Sequence, residues 1–584
     1  MRRHSVTVVF REPVRAADAR SSLLHFRGVA HKRRSSLPII FVAIIVAGIL
    51  TICLFFSGLS AIGLTGPDEP RYAWIARAMA FTGDWITPKL YGHPWFEKPA
   101  LYYWSAAIAF KFLRSPEWAA RLPSAIAALI AAFSMVVLGF WRYGARTALA
   151  VLLIFPTCVG VIAFSRAAAP DMLFTAALAL AMFSAANIAE KHDAFPADPL
   201  RRRPSDKLDL ILLGAWLGVA TLAKGPAAIV LAGGSVLLWA MATRKLRIAI
   251  RMLHPLAILS FAIVALPWYV LCARANADFF HVFIIEHNFE RYLTPMFQHP
   301  QPFWFFGAII LLGTLPWTAF LIGAAFDGVR IFRDGSWRTS AGFFIACWAI
   351  FPTIFFSFSQ SKLPEYILPA FPALALLMAR SFACAMKSAP RKAQWMGVAT
   401  GTMWVVLGVA GAIGFHRLPM YTPLDREQIA SLAMSCVFIG VAVGALIEVV
   451  SLWRKLWLGA ALSALACACL VFVAEVRVLP ELDALLSTRP MARDISAIAP
   501  GAPIYSLGDV NRDCTYGLQF YLQRDSLPEF NPKIPDEHYV LMTWGGDMKL
   551  NDMGVLHRKI VARFLPYCWI ESIETESAPP KSSP

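Results

Sequence analysis

Apolar runs long enough to cross a bilayer recur along this chain, and that recurrence limits its fold more than any other feature. A hydrocarbon core of about 30 Å takes about twenty helical residues and tolerates no irregular lipid-exposed backbone. Such runs fall at 37–60, 119–141, 147–164, 171–189, 208–223, 227–243, 254–273, 302–323, 341–358, 366–380, 394–414, 429–450 and 456–475. They predict a polytopic α-helical membrane protein with about thirteen transmembrane helices. Composition agrees: of 584 residues, 58% are hydrophobic and only 16% charged. That is too little charge for a soluble surface and too much apolar character for disorder.

The formal net charge of +17 is dispersed among loops, which speaks against a nucleic-acid surface and for topology. Residues 1–36 hold Arg2, Arg3, Arg11, Arg15, Arg20, Arg27, Lys32, Arg33 and Arg34, a cytoplasmic segment too long and basic for a cleavable signal, so the first run is a signal anchor. Alternate threading then puts Arg142 and Arg146, Lys191 with Arg201, Arg202, Arg203 and Lys207, and Arg244, Lys245, Arg247 and Arg251 inside. The same side receives Arg330, Arg333 and Arg338, then Arg380, Lys387, Arg391 and Lys392, and finally Arg454 and Lys455. Counting the short apolar stretch 101–113 as a span would invert this pattern. It is therefore expected as an interfacial helix in a first external loop, 61–118, with Tyr102, Tyr103 and Trp104 at headgroup depth.

An odd number of spans across 37–475 leaves 476–584 outside. There Pro, Gly, Asp and Asn return and short strand patterns flank a helical DCTYGLQFYLQ, which predicts a small α/β domain ending in a disordered ESAPPKSSP tail. Eight of the ten cysteines lie in spans or, for Cys384, just past one; Cys514 and Cys568 lie in this domain, where an oxidising compartment permits a disulfide.

The external ends of the spans carry a different set of charges, in GPDEPRYAWIARAM (66–79), HPWFEKPALYYW (93–104), FSRAAAPDM (164–172), AKGP (223–226), IIEHNFERYLTP (284–295) and SQSKLPEYILP (359–369). Polar groups at membrane depth are costly and usually line a cavity or pair with one another. Asp68 stands where an N-cap belongs, before a helix 69–82 closed by Gly83. It also shares a helix face with Arg71 and Tyr72, which a cap does not require. Glu69 suits the helix dipole; Asp171 opens a span, with Arg166 as a salt-bridge candidate; Lys224 is the only positive charge in an otherwise apolar hairpin at the outer face, against the charge bias. His287 with Arg291, and Lys362 with Tyr366, share helix turns. Together, Lys98, Lys224, Arg291 and Lys362 beside Asp68, Glu69, Glu97 and Asp171 are what a phosphate-bearing lipid needs: cations for the phosphate and carboxylates for the nucleophile.

The run 66–104, followed by EWAARLPSA (117–125), AKGP, EHNFERYL and SKLPEYILPAFPALALL (361–377), closely resembles the 4-amino-4-deoxy-L-arabinose lipid A transferases. These belong to the C-type glycosyltransferases, which include the protein O-mannosyltransferases. The resemblance implies an inverting transferase that moves a sugar from an undecaprenyl-phosphate carrier to lipid A or another envelope acceptor on the periplasmic face. It implies that Asp68 is the essential acidic residue, with Arg71 and Tyr72 lining the same cavity. Lys98 and Arg291 would then hold the carrier phosphate, with Tyr366 near it, and Asp171 would contact sugar or acceptor. Relatives also suggest zinc at Glu97 and His287, although two ligands are too few for a structural site and no cofactor is expected to be required. Pro70 and Ala100 depart from the commoner family pattern, which bears on the sugar more than on the class. The rivals are a protein O-mannosyltransferase-like enzyme and a lipid-linked sugar transporter, the latter needing charges buried at mid-membrane.

Overall fold

The computed structural model describes residues 41–193, 205–294, 300–417, 424–530, 537–543, 548, 558–564 and 567–574. The basic segment 1–36, Arg201, Arg202, Arg203 and the ESAPPKSSP tail lie outside them. Among the described residues seven helices are long and apolar enough to cross a membrane, or up to nine if each of two bent pairs counts as one span. The bent pairs are Ala145–Thr157 with Val159–Ser165, at 65°, and Phe305–Gly313 with Thr318–Arg333, at 120°. The second corrects the expectation of a straight helix over 302–323: Pro316 lacks an amide hydrogen and interrupts the ladder between the two halves. Helices Phe41–Phe56, Ala227–Thr243 and Gly342–Ser357 are apolar but shorter.

Small residues let these helices approach closely. In the pair Pro390–His416 and Arg426–Leu452, a Cβ on Gly440 would stand 2.7 Å from the Gly408 Cα, and one on Gly444 would stand 2.6 Å from the Gly401 carbonyl. The Ala-rich helix Asp171–Asp193 is buried on nearly every side and runs through the bundle as its axis. At one end of this axis lies Asp171; at the other, Lys191 pairs with Asp209 (2.6 Å) and His192 with Asp206 (2.9 Å).

The segment between helices Phe41–Phe56 and Pro116–Tyr143 is built, not loose. Helix Asp68–Thr82 ends at Gly83, whose φ of +76° is the left-handed conformation that glycine adopts without Cβ strain. Its N-cap is Pro67, so Asp68 does not cap the helix as the sequence suggested; its carboxylate turns to Arg71 instead, at 2.5 Å. Strands β1 (Lys89–Leu90) and β2 (His93–Pro94) form a hairpin across Tyr91 and Gly92, both at positive φ. Helix Leu101–Phe112 exists, but Tyr102 and Tyr103 face the protein interior: they are 1% and 0% exposed, edge-on to Tyr72, and the Tyr102 hydroxyl donates to the Ala120 carbonyl at 2.8 Å. An aromatic pair on an apolar helix fits a headgroup layer or a core equally well, and here the core wins.

One buried ion pair fixes this segment. Arg121, in helix Pro116–Tyr143, donates to both Glu69 carboxylate oxygens (3.2 and 2.6 Å) and to the carbonyls of Leu59, Ile62 and Gly63 at 2.7–2.9 Å. Glu69 also accepts from the backbone amides of Thr65 (2.8 Å) and Ala168 (2.6 Å). Burial would raise the Glu69 pKa, but Arg121 and these amides carry it below the ordinary value. Arg166 does not pair with Asp171; it meets Glu475 at 2.5 Å.

Beyond the last long helix, strands β3 (Ile504–Leu507), β4 (Glu537–Met542), β5 (Arg558–Phe564) and β6 (Cys568–Glu574) make one sheet in the order β3-β4-β6-β5, with β3 parallel to β4 and the rest antiparallel. Helices Arg489–Ile498 and Arg512–Leu522 pack on it through Met491, Ile495 and Leu518, and Cys514 is bonded to Cys568. This unit grips the first loop. Arg489 reaches Glu117 (3.2 Å) and the carbonyls of Ser60 and Ala61, the Tyr521 hydroxyl donates to Glu117 at 3.0 Å, and Asp483 accepts from the Gly63 amide at 2.7 Å.

Replacing Arg121 strands the buried Glu69 carboxylate and three loop carbonyls. Arg121→Met is expected to destabilise the protein by about 3–5 kcal/mol, read as a lowered Tm in detergent; a wild-type Tm contradicts the anchoring role.

Candidate active site

The site collects at one end of the bundle around the carboxylate of Glu97. Pro99 follows the Glu97–Lys98 pair and blocks a helix there, so both side chains are presented from extended backbone just before helix Leu101–Phe112. Arg71 Nη2 approaches Glu97 Oε2 at 2.8 Å, while Lys98 Nζ and Arg291 Nη1 stand 3.3 and 3.6 Å from Oε1. The Tyr72 hydroxyl also points at Oε1, at 3.4 Å. Burial alone would raise the Glu97 pKa, yet Lys98, Arg71 and Arg291 hold it well below the ordinary carboxylate range, so Glu97 is ionised. Burial lowers the Lys98 pKa, with Arg291 and Lys224 adding to that effect and Glu97 opposing it.

The cations have aromatic support. Arg71 lies over the rings of Tyr72, Trp95 and Tyr516 at 5.2, 5.4 and 5.9 Å. Arg291 Nε donates to the Tyr366 hydroxyl at 2.8 Å, and Lys224 sits 5.0 Å from the centre of the Tyr366 ring. Lys224 pairs with Asp171 across two long helices. Desolvation raises the Asp68 pKa above its ordinary value, and Glu97 and Asp171 add to a rise that Arg71 and Lys98 oppose. His287, on the segment His281–Glu290, has its pKa lowered by burial, by Lys98 and by Arg291, against Glu97.

Two cavities meet at Glu97 and His287. One, of about 420 Å³, is lined by Glu97, Lys98, Lys224, His287, Arg291 and Tyr366 together with the apolar Val230, Phe289, Leu293, Phe355 and Phe356. The second, of about 550 Å³, runs past Trp95, Phe96, Asn276 and Asp278. A cavity lined by both cations and apolar side chains suits an amphiphile with an anionic head.

Of the residues singled out from sequence, Asp68, Arg71, Tyr72, Glu97, Lys98, Asp171, Lys224, His287, Arg291 and Tyr366 come together. Glu69 belongs to the Arg121 anchor instead. Lys362 turns away, donating to the carbonyls of Gln301 (3.0 Å) and Ser359 (2.6 Å), so it ties two loops and adds no charge to the cavity. Glu97 and His287 do not fit a metal site: among the described residues no three His, Cys, Asp or Glu side chains gather, and three cations already surround the carboxylate. Sequence reasoning missed Tyr516 and Asp513, brought to Arg71 and Asp68 from a helix more than four hundred residues away, and Glu365, which acts electrostatically on Lys224. Only Glu365 had a signal, its place in SKLPEY.

Residues 40–283 match the Dolichyl-phosphate-mannose-protein mannosyltransferase family. Over 344 residues the chain is 32% identical to the undecaprenyl phosphate-alpha-4-amino-4-deoxy-L-arabinose arabinosyl transferase of Edwardsiella ictaluri, covering 57% of this chain and 59% of that protein. Over 418 residues it is 30% identical to the enzyme of the same name from Enterobacter sp., covering 69% of this chain and 71% of that one. The crystal structure of ArnT from Cupriavidus metallidurans bound to undecaprenyl phosphate superposes with a TM-score of 0.74 at 22% identity, over 92% of this chain and 99% of the other, and so shares the fold. The chain spans between three fifths and seven tenths of these two sequence relatives, with the fold intact, and it belongs to the family of undecaprenyl phosphate-alpha-4-amino-4-deoxy-L-arabinose arabinosyl transferases.

Proposed function

We propose that the protein transfers 4-amino-4-deoxy-L-arabinose from undecaprenyl phosphate to a phosphate of lipid A on the periplasmic face of a bacterial inner membrane, with inversion. The observation that carries this reading is the ionised Glu97 holding Arg71, Lys98 and Arg291 at the rim of a half-apolar cavity. The relatives' names supply the sugar. In this reading the chain crosses the membrane thirteen times, each bent pair counting once, with residues 1–36 cytoplasmic and 476–584 forming a periplasmic domain; the positive loops and the opposite clustering of the site support it.

The donor cannot leave the bilayer, because each buried methylene of its chain contributes about 0.8 kcal/mol. Its chain lies along the cavity's apolar side chains and its phosphate meets Lys98 and Arg291. The bond between the anomeric carbon and the carrier oxygen breaks with its electrons passing to that oxygen, while an acceptor oxygen bonds the carbon from the opposite face. The carrier phosphate thus gains one negative charge as it leaves. Three cations beside the carboxylates of Glu97 and Asp68 leave the cluster with one net positive charge, so it attracts the leaving dianion more than the bound diester, which lowers the barrier and not merely the energy of the complex. A lipid A phosphate has its second pKa near 6 and needs no base. Asp68, held by Arg71, faces the developing positive charge on the sugar, and Asp171 and Lys224 set the sugar's other edge. No step is routed through a metal.

Lys98→Ala is expected to lower transfer by about 100-fold or more in reconstituted membranes, with the protein still inserted; near-normal turnover refutes the phosphate role. Asp68 acts ionised, and its raised pKa means that falling pH protonates it early. The rate is therefore expected to decline on acidification through a midpoint above about 4, the ordinary aspartate value. Asp68→Asn should be slower by about tenfold or more and keep only the acid limb of the acceptor phosphate; an unaltered pH profile contradicts the assignment.

A further inference from the structure

The second cavity has no part in the donor chemistry above. It holds about 550 Å³ and meets the donor cavity at Glu97 and His287, so it adjoins the carboxylate around which the donor's cations gather. Its lining differs in kind. Trp95 and Phe96 supply aromatic surface, Asn276 and Asp278 supply polar groups, and among the described residues no lysine or arginine lines it. The carrier phosphate therefore belongs to the other cavity. An indole with an amide and a carboxylate beside it is the chemistry of a sugar site: the C–H face of the ring lies on the aromatic, and the hydroxyls donate to the oxygens. Two of these groups are held in place by the protein. The Trp95 ring lies 5.4 Å from the Arg71 guanidinium. The Asn276 amide donates to the Thr87 hydroxyl at 2.9 Å and to the Cys272 carbonyl at 3.0 Å, which leaves its own oxygen to accept. Asp278 is exposed and makes no ion pair among the described residues.

Two features point to the acceptor and to its being a lipid. Inversion requires the acceptor to reach the anomeric carbon from the face opposite the carrier oxygen, and so by an approach separate from the donor's. This cavity is separate from the donor's and touches it at Glu97 and His287. The segment that carries Asp278 and His287 also turns Phe280, Ile285 and Phe289 outward, at 55%, 42% and 58% exposed, as a surface lying against acyl chains does. We propose that this cavity receives the sugar-phosphate head group of the acceptor lipid, with a sugar ring on Trp95, its hydroxyls on Asn276 and Asp278, and its phosphate directed toward Arg71. Arg71 suits that part because it stands both 2.8 Å from Glu97, at the shared edge, and against the Trp95 ring. This rests on the transferase reading above and adds to it the side chains that receive the acceptor.

The test is steady-state kinetics of the full-length protein in reconstituted membranes, with undecaprenyl phosphate-4-amino-4-deoxy-L-arabinose as donor and lipid A as acceptor, the KM of each measured separately. Trp95→Ala is expected to raise the KM for lipid A by about tenfold or more, and Asp278→Ala by about fivefold or more. The donor KM should stay within about twofold in both. Trp95→Phe keeps an aromatic face and should recover most of the loss. Asp278 makes no ion pair with the cations of the donor site, so its variant separates acceptor binding from any disturbance of Arg71. Binding of undecaprenyl phosphate by each variant within about twofold of wild type shows that the fold is kept. An equal rise in both KM values, a rise in the donor KM alone, or no change in either overturns the acceptor site while leaving the phosphate role of Lys98 standing. Wild-type protein that transfers no sugar to lipid A overturns the transferase reading and this inference with it.

Discussion

The site depends on one electrostatic arrangement: a single buried carboxylate, Glu97, that keeps three cations close together. Arg71, Lys98 and Arg291 come from three separate stretches of chain, and like charges at such separations repel strongly where water is scarce. Glu97 offsets enough of that repulsion for the cluster to form before any ligand arrives, and leaves it cationic. The cluster is thus an anion site prepared in advance, with its reorganisation cost met during folding. Tyr366 and Tyr72 serve the same end by orienting Arg291 and adding a donor to Glu97.

The cluster is only as fixed as the loop that supplies Glu97 and Lys98. That loop is held by Arg121 of helix Pro116–Tyr143, which gathers Glu69 and three carbonyls, and by Arg489, Tyr521 and Asp483 of the C-terminal unit. The same unit lays Tyr516 over Arg71 and brings Asp513 within range of Asp68. A chemical site at a membrane surface, where the bundle offers packing from one side only, gains its second wall in this way. The Cys514–Cys568 bond ties the helix bearing Tyr516 to strand β6.

Much of this was legible in the sequence because the membrane makes two of its signals unambiguous. Within the described residues every expected apolar run falls on a helix or a bent helix pair, since length and apolarity leave the backbone no other solution. Charges at span ends opposite the basic loops, such as Lys224 and Arg291, stood out because placing them there is costly. What was not legible depends on contacts between distant parts of the chain. Glu69 reads as a helix-dipole residue until Arg121, fifty-two positions on, is seen to claim it. Lys362 reads as one more phosphate cation until two carbonyls are found around its ammonium. Tyr102 and Tyr103 read as interfacial because nothing local distinguishes a headgroup layer from a protein core, and Pro316 was passed over inside an otherwise convincing apolar run.

The central claim, that Glu97 assembles the cations into one phosphate site, is tested most directly by a double-mutant cycle on the affinity for undecaprenyl phosphate. The variants are Glu97→Gln, Arg291→Gln and the two combined. The account predicts strong non-additivity, with a coupling of about 1 kcal/mol or more, because Arg291 without Glu97 is a differently placed cation. Losses that add to within about 0.3–0.5 kcal/mol would mean that the two residues act independently, and would contradict it.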